Sequence, residues 1–260
     1  MEMLKVEKVS KSYVNTDTRE KFCVFKNVSF EVREKEYLSV LGHSGCGKST
    51  LLNIIAGIDN QSEGYVFLDK KEVSGPSLER MVVFQNFALM PWMSVYSNIR
   101  LAVKAAFPDW DRKKIADWVQ KYIDMVGLKG AENKKPVTLS GGMKQRVGIA
   151  RAFSVKPRML LLDEPFAQID ALTRGVIQEE LVRMWQETGI TIFMVTHDVD
   201  EAIYLSDRIM LMSPGPDAQI MDEIVIDIPR PRSRETIIDH PDYYSIRNRI
   251  IRFLSQKKVN

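Results

Sequence analysis

Cysteine is scarce in these 260 residues: Cys23 and Cys46 are the whole supply. Two thiols make neither a disulfide framework nor a metal-site spacing, and both suit a reducing compartment. No apolar run approaches the ~18 residues of a membrane span. The opening MEMLKVEKVSKSY lacks the basic-then-apolar layout of a signal peptide. The chain is therefore expected in the cytosol unless a partner holds it at a membrane. Internal repeats and low-complexity stretches are missing too. Net charge is +3, too little to argue for nucleic acid, so no nucleic-acid partner is expected. Residues 229–260 carry eight cations against three carboxylates, leaving −2 for the rest. Such a basic tail reads either as a solvated surface or as a docking or regulatory element.

What is present is an ordinary globular composition, 45% hydrophobic and 27% charged, at a length that allows one large domain or two small ones. Short β-branched runs (EYLSVLG, MVVFQ, RMLLLDE, TIFMVTH, DRIMLM) alternate with helical patterns, which implies α/β architecture with a largely parallel sheet covered on both faces. Between Pro91 and Pro136 that rhythm breaks. Ile115, Trp118, Val119, Tyr122, Ile123 and Val126 fall on one helical face, with Gly127 as a stop. The stretch reads as a helical insertion whose stripe faces a core.

Chemistry begins at Gly42. The run GHSGCGKST, from Gly42 through His43, Ser44, Gly45, Cys46, Gly47, Lys48 and Ser49 to Thr50, matches the P-loop pattern, with a strand before it and a helix after it. Its glycines let successive N–H groups face phosphate oxygens. Lys48 is expected to reach the β- and γ-phosphates, and the Ser49 hydroxyl to ligate Mg²⁺. Cys46 is either a small filler or a thiol activated by a helix N-terminus. A second apolar strand ends on Asp163 and Glu164, suited to holding Mg²⁺ through water and to polarising the attacking water. Two more strands are expected to stop on Gln85 and His197; alone, Gln85 is more often a strand-end surface residue and a lone histidine is usually structural. LSGGMKQ, with Ser140 as N-cap and Met143, Val147, Ala150 and Phe153 along one face, is either a capped helix or a second anion seat.

Taken in order, GHSGCGKST, VVFQNFALMPW, LSGGMKQR, LLLDEPF and VTHDVDEA resemble the ATP-binding subunits of ABC transporters, over about Leu4 to Leu211. These segments are that family's Walker A, Q-loop, signature, Walker B and switch-histidine motifs. The resemblance implies a RecA-like P-loop NTPase core with an N-terminal antiparallel β piece (1–90 and 149–228), a helical subdomain carrying the signature (91–148), and the basic tail (229–260). It implies ATP and Mg²⁺ as ligands, and Tyr13 as the aromatic that stacks on adenine. Ser49, Gln85 and Asp163 are implied to hold the metal, Glu164 to activate water and His197 to address the γ-phosphate. Ser140, Gly141 and Gly142 would act on the nucleotide of a second subunit. One departure stands out: Ala167-Gln168-Ile169-Asp170 replaces the usual GALD, where altered dimer contacts are expected.

The finer wording, such as DALTRGVIQEEL and IPRPRSR…HPDYYSIRNRIIRFL, looks like nitrate/nitrite importer ATPases, with bicarbonate, cyanate, taurine and sulfonate importers close by. Ending at residue 260, the chain is expected to lack spanning helices and a large extra regulatory domain. Integral-membrane permease subunits, a second ATPase subunit (a copy or a related chain) and indirectly a periplasmic or lipid-anchored solute-binding protein are then the expected partners, at the cytoplasmic face of the membrane. Phe87, Met90, Trp92 and Met93 are either a groove for a permease helix or internal packing. Rival readings are a non-transport ABC ATPase and a P-loop kinase or simple nucleotide-binding module; the latter leaves LSGGMKQ and His197 unexplained.

Overall fold

The structure is a computed structural model that describes residues 2–14, 16 and 19–255. Met1 and the tail end 256–260, with Lys257 and Lys258, lie outside the described residues. In chain order the elements are β1 (Glu2–Val14), β2 (Lys21–Arg33), β3 (Tyr37–Gly42), α1 (Lys48–Ala56), β4 (Glu63–Leu68), β5 (Lys71–Glu72), β6 (Arg80–Val83), α2 (Val95–Ala106), α3 (Arg112–Met125), α4 (Gly141–Ser154), β7 (Met159–Asp163), α5 (Ala171–Thr188), β8 (Thr191–Thr196), α6 (Val199–Leu205), β9 (Arg208–Met212), β10 (Ile220–Val225) and α7 (Pro241–Ser255). They form two compact units, Met1–Pro76 with Thr191–Asn260, and Ser77–Ile190. No described helix is long and apolar enough to cross a membrane.

The first unit contains two strand systems. One is antiparallel in the order β2-β1-β4-β5. Its β1 pairs Leu4 with Val32 and Val6 with Phe30, all buried, so the apolar alternation turns one face inward. The other places β3 between β8 and β9, parallel to both, with β10 antiparallel at the edge of β9. Every residue of β3, β8 and β9 is buried, as parallel strands covered on both faces require. Helix α1 buries Leu51, Leu52, Ile54 and Ile55, roughly 1.5–3 kcal/mol of transfer free energy each. The polar exceptions are paired: Arg208 forks onto Glu36 at 2.7 and 3.1 Å, and the Ser39 and Ser206 hydroxyls meet at 2.5 Å.

The second unit holds the expected helical segment together with β6, β7 and α5. Strands β6 and β7 run parallel, with Val83 beside Leu162. The stripe on α3 is buried at Ile115, Val119, Tyr122 and Ile123, and Trp118 donates its indole N–H to the Ser154 carbonyl at 2.8 Å, pinning α3 to α4. Gly127 follows α3 at φ +65°, a left-handed stop. A two-pronged bridge from Arg146 to Glu180, 2.9 Å at each contact, fastens α4 to α5.

Candidate nucleotide-binding and hydrolysis site

Helices α2 to α6 each start on a side-chain cap: Ser94, Asp111, Ser140, Asp170 and Asp198 accept first-turn amides. Helix α1 is different. It starts from Gly47 at φ +100°, with no side-chain cap. A helix start without a cap, at the end of a glycine-rich loop, offers its first-turn N–H groups to an anion. Gly47 must also be glycine for space, since a Cβ there would lie 2.6 Å from Val24 and 2.9 Å from Phe25 of β2. The P-loop thus rests directly on a strand. Lys48 is buried, its ammonium bonded to the carbonyls of Gly42 (2.8 Å) and His43 (3.0 Å). Cys46 is fully buried, which suits the filler reading better than a reactive thiol.

Strand register sets what stands near this loop. Because Leu41 pairs with Thr196, the next residues, Gly42 and His197, leave the same carboxyl edge of parallel strands. His197 is exposed there. Its backbone is fixed by the first turn of α6: the Thr196 hydroxyl bonds the buried Glu201 carboxylate and accepts the Asp198 N–H at 3.1 Å, while Asp198 accepts the Glu201 N–H at 3.0 Å. Tyr13 ends β1 with its ring 46% exposed. Its hydroxyl donates to Asp59 at 2.8 Å, and the Lys11 ammonium lies 4.6 Å from the ring centroid. Burial and the bond to Asp59 push the Tyr13 phenol above its ordinary value. Burial favours the acid form of Asp59, but Lys11 and Tyr13 outweigh it and hold the carboxyl below its usual range.

In the second unit a parallel pair again delivers polar residues to one edge. Asp163 is the last residue of β7, and Glu164 follows at φ +43°, a left-handed conformation costing about 1–3 kcal/mol for a residue with a side chain. That turn breaks the strand alternation at Glu164. Gln85 does not end its strand: β6 stops at Val83, because the Phe84 carbonyl accepts the Phe87 N–H in a turn at 3.0 Å. Gln85 sits exposed in that turn. Phe87 and Ala88 follow at φ +63° and +43°. Arg151 of α4 holds them, donating to the carbonyls of Ala88 (2.7 Å) and Phe87 (3.2 Å). Asn98, almost fully buried, accepts the Met90 N–H at 2.8 Å and donates to the carbonyls of Met90, Met93 and Ser94. The apolar quartet divides: Phe87 is buried, Met90 and Met93 are half-buried, and Trp92 is 67% exposed.

Ser140 caps α4, accepting the Met143 N–H at 3.2 Å, and the glycines behind it are packed closely. A Cβ on Gly142 would lie 2.4 Å from the Thr173 methyl of α5, and one on Gly141 3.1 Å from the Gln168 carbonyl. The departure AQID therefore supports the signature helix through backbone, with the Gln168 side chain exposed. Asp170 is the cap of α5, accepting the Thr173 N–H at 3.0 Å, a bond that holds its carboxyl below the usual range. Ser49, Gln85 and Asp163 supply oxygen donors of the kind Mg²⁺ prefers.

A family model described as ABC transporter matches residues 25–167. The chain belongs to the ABC transporter family. Among its ABC relatives, the nitrate import ATP-binding protein NrtC of Synechococcus elongatus is 50% identical over 91% of this chain, and the bicarbonate transport ATP-binding protein CmpD of the same organism is 47% identical over 96%. The match covers 89% of CmpD but only 36% of NrtC, so the chain spans about a third of the length of that larger relative and of the similar CmpC proteins. The fold is that of solved ABC cassettes: the dimeric post-hydrolysis structure of the cassette MJ0796 bound to ADP and Pi superposes with a TM-score of 0.77 at 30% identity, covering 87% of this chain and all of that one. Asn98, Arg151 and Asp170 are supporting residues of this ABC site that sequence reading did not single out for these contacts. Only Asp170 had a local signal, an acid three residues before Thr173 at a helix start.

Proposed function

We propose that the chain binds ATP with Mg²⁺, hydrolyses it at the interface of two ATPase subunits, and thereby energises import of a small anion, nitrate or nitrite first. The observation that carries the ATP assignment is the uncapped start of α1 under the P-loop. Backbone amides of Gly45, Gly47, Lys48 and Ser49 receive the phosphates, and the Lys48 ammonium exchanges its loop carbonyls for phosphate oxygens. Tyr13 lends its exposed ring to adenine. Ser49, Gln85 and Asp163 would hold the metal ion, which would supply positive charge against the transferring phosphoryl group. Glu164 takes up the proton of the attacking water, and His197 donates a hydrogen bond to the γ-phosphate. Ser140, Gly141 and Gly142 address the nucleotide of the other subunit, as the dimeric relative with ADP and Pi supports.

Trp92, exposed beyond Asn98 and Arg151, is the side chain of the quartet best placed to meet a permease subunit. Permeases, a second ATPase subunit and a solute-binding protein complete the importer, with this chain at the cytoplasmic face. Names of relatives favour an oxyanion but divide between nitrate and bicarbonate at 45–50% identity. ATP turnover by the assembled complex, with nitrate, nitrite, bicarbonate, cyanate or taurine on the solute-binding protein, tests the reading. Stimulation by nitrate or nitrite alone is expected; stimulation by another solute reassigns the cargo. Full turnover by a strictly monomeric chain overturns the two-subunit site.

A further inference from the structure

The described part of the basic tail has a definite partner, helix α6, which starts two residues after His197. Helix α6 has seven residues, too few to be stable alone, and its last carbonyls have no acceptor role within it. The tail arginines fill that end. The Arg232 guanidinium donates to the carbonyls of Ile203 (2.9 Å), Tyr204 (3.2 Å) and Ser206 (2.6 Å), and Arg230 to that of Leu205. Positive charge at a helix C-terminus is favourable in itself. Arg232 also reaches the carbonyls of Ile228 and Ile226, and Arg230 bonds Asp207, whose other oxygen accepts the Tyr37 N–H of β3. This end of α6 is therefore tied to the strand that leads into the P-loop.

The first turn of α6 is gripped as well. Asp200, three residues after His197, accepts the Tyr243 hydroxyl at 2.8 Å and the Arg247 side chain at 2.7 Å, both from α7. Tyr243 is buried, while the Arg247–Asp200 pair is partly open to solvent. Asp198, Glu201 and Thr196 hold the backbone on either side of His197. A shift of α6 in either direction displaces the imidazole.

We propose that residues 229–250 are a clasp that holds α6, and through it His197, in working position, with Arg232 and Tyr243 as positioning residues. The clasp rests on the reading that His197 addresses the γ-phosphate. It acts on the rate of hydrolysis and not on nucleotide capture, because its tie to β3 is at Tyr37, the end of the strand away from the P-loop, and neither the P-loop nor α1 makes any of these contacts.

The test uses the full chain at concentrations that support wild-type turnover. Arg232→Ala strips donors from five carbonyls and risks unfolding, so Arg232→Lys and Tyr243→Phe carry the experiment, each in wild-type and His197→Ala backgrounds. The expected result is kcat lowered about tenfold with ATP affinity unchanged, a loss that shrinks to about twofold or less once His197 is gone. Arg232→Lys should retain more activity than Arg232→Met, since an ammonium replaces only part of the fork. The chain has three histidines, His43, His197 and His240, so their ring signals can be assigned by NMR. Tyr243→Phe should move the His197 signal and leave His43 in place. Equal losses in both backgrounds, a change in affinity without one in kcat, or an unmoved His197 signal overturns the clasp. Wild-type turnover by His197→Ala overturns the role of His197 itself, and the clasp falls with it.

Discussion

Replacing Gly142 by alanine separates two reasons for a glycine in LSGGMKQ. One is approach to a phosphate; the other is packing, and the packing reason is visible in the chain alone. An alanine Cβ would stand 2.4 Å from the Thr173 methyl, where something must move. Overpacking of this kind costs about 1–3 kcal/mol. Helix propensity returns at most about 1 kcal/mol, less in a first turn. The net loss is therefore about 1–2 kcal/mol, or roughly 2–4 °C in Tm for a chain of this size. Thr173→Ser removes the offending methyl and leaves Ile177 at 3.4 Å as the nearest atom, ordinary contact. In that background Gly142→Ala should be close to neutral. The assay is thermal and urea unfolding of the four chains of the cycle without nucleotide. Equal loss from Gly142→Ala in both backgrounds would falsify the packing argument, and no loss in either would leave phosphate approach as the sole reason.

Arg151→Met removes two charge-assisted hydrogen bonds from a turn holding Phe87 and Ala88 in left-handed backbone. It should cost about 2–4 kcal/mol and speed proteolysis near residue 88, checked by denaturation and limited digestion; an unchanged cleavage pattern counts against the anchor. Glu164→Gln keeps shape and fold but should slow hydrolysis about 10²-fold or more with ATP still bound, read by steady-state turnover and nucleotide retention. Gln168→Ala should leave stability within about 0.5 kcal/mol, because only the Gln168 carbonyl supports Gly141; a larger Tm shift would show that the exposed side chain matters. Burial and the bond to Asp200 push the Tyr243 phenol up to about 12. A raised folded pKa means stability fully present below the unfolded value near 10 and lost as pH climbs towards 12. Wild type should therefore lose Tm faster than Tyr243→Phe across that window, and parallel curves would remove the contribution.

The glycine-rich loop between strand and helix, the parallel strand ends and the α3 stripe were legible in the sequence because each rests on local spacing. Gly42 to Thr50 needs only a turn between a strand and a helix, and Ile115, Val119, Tyr122 and Ile123 announce a face by period alone. Gln85 was misplaced at a strand end because Phe87 and Ala88, neither of them glycine, gave no sign of left-handed backbone. Arg151 acts 63 and 64 residues away, and Arg232 as far as 29. Among 37 basic residues, nothing local marks these two as anchors. Long-range side-chain-to-backbone bonds have no period, so pattern reading passes over them.

The turn around Phe87 and Ala88 has a consequence for engineering. Its shape is specified by two residues outside it, Asn98 and Arg151, one of which lies on the signature helix. A graft of residues 85–94 from a relative, made to test the proposed permease contact, would arrive without its fasteners. The transplantable part is discontinuous: the loop, the start of α2 and one arginine eleven residues after Ser140.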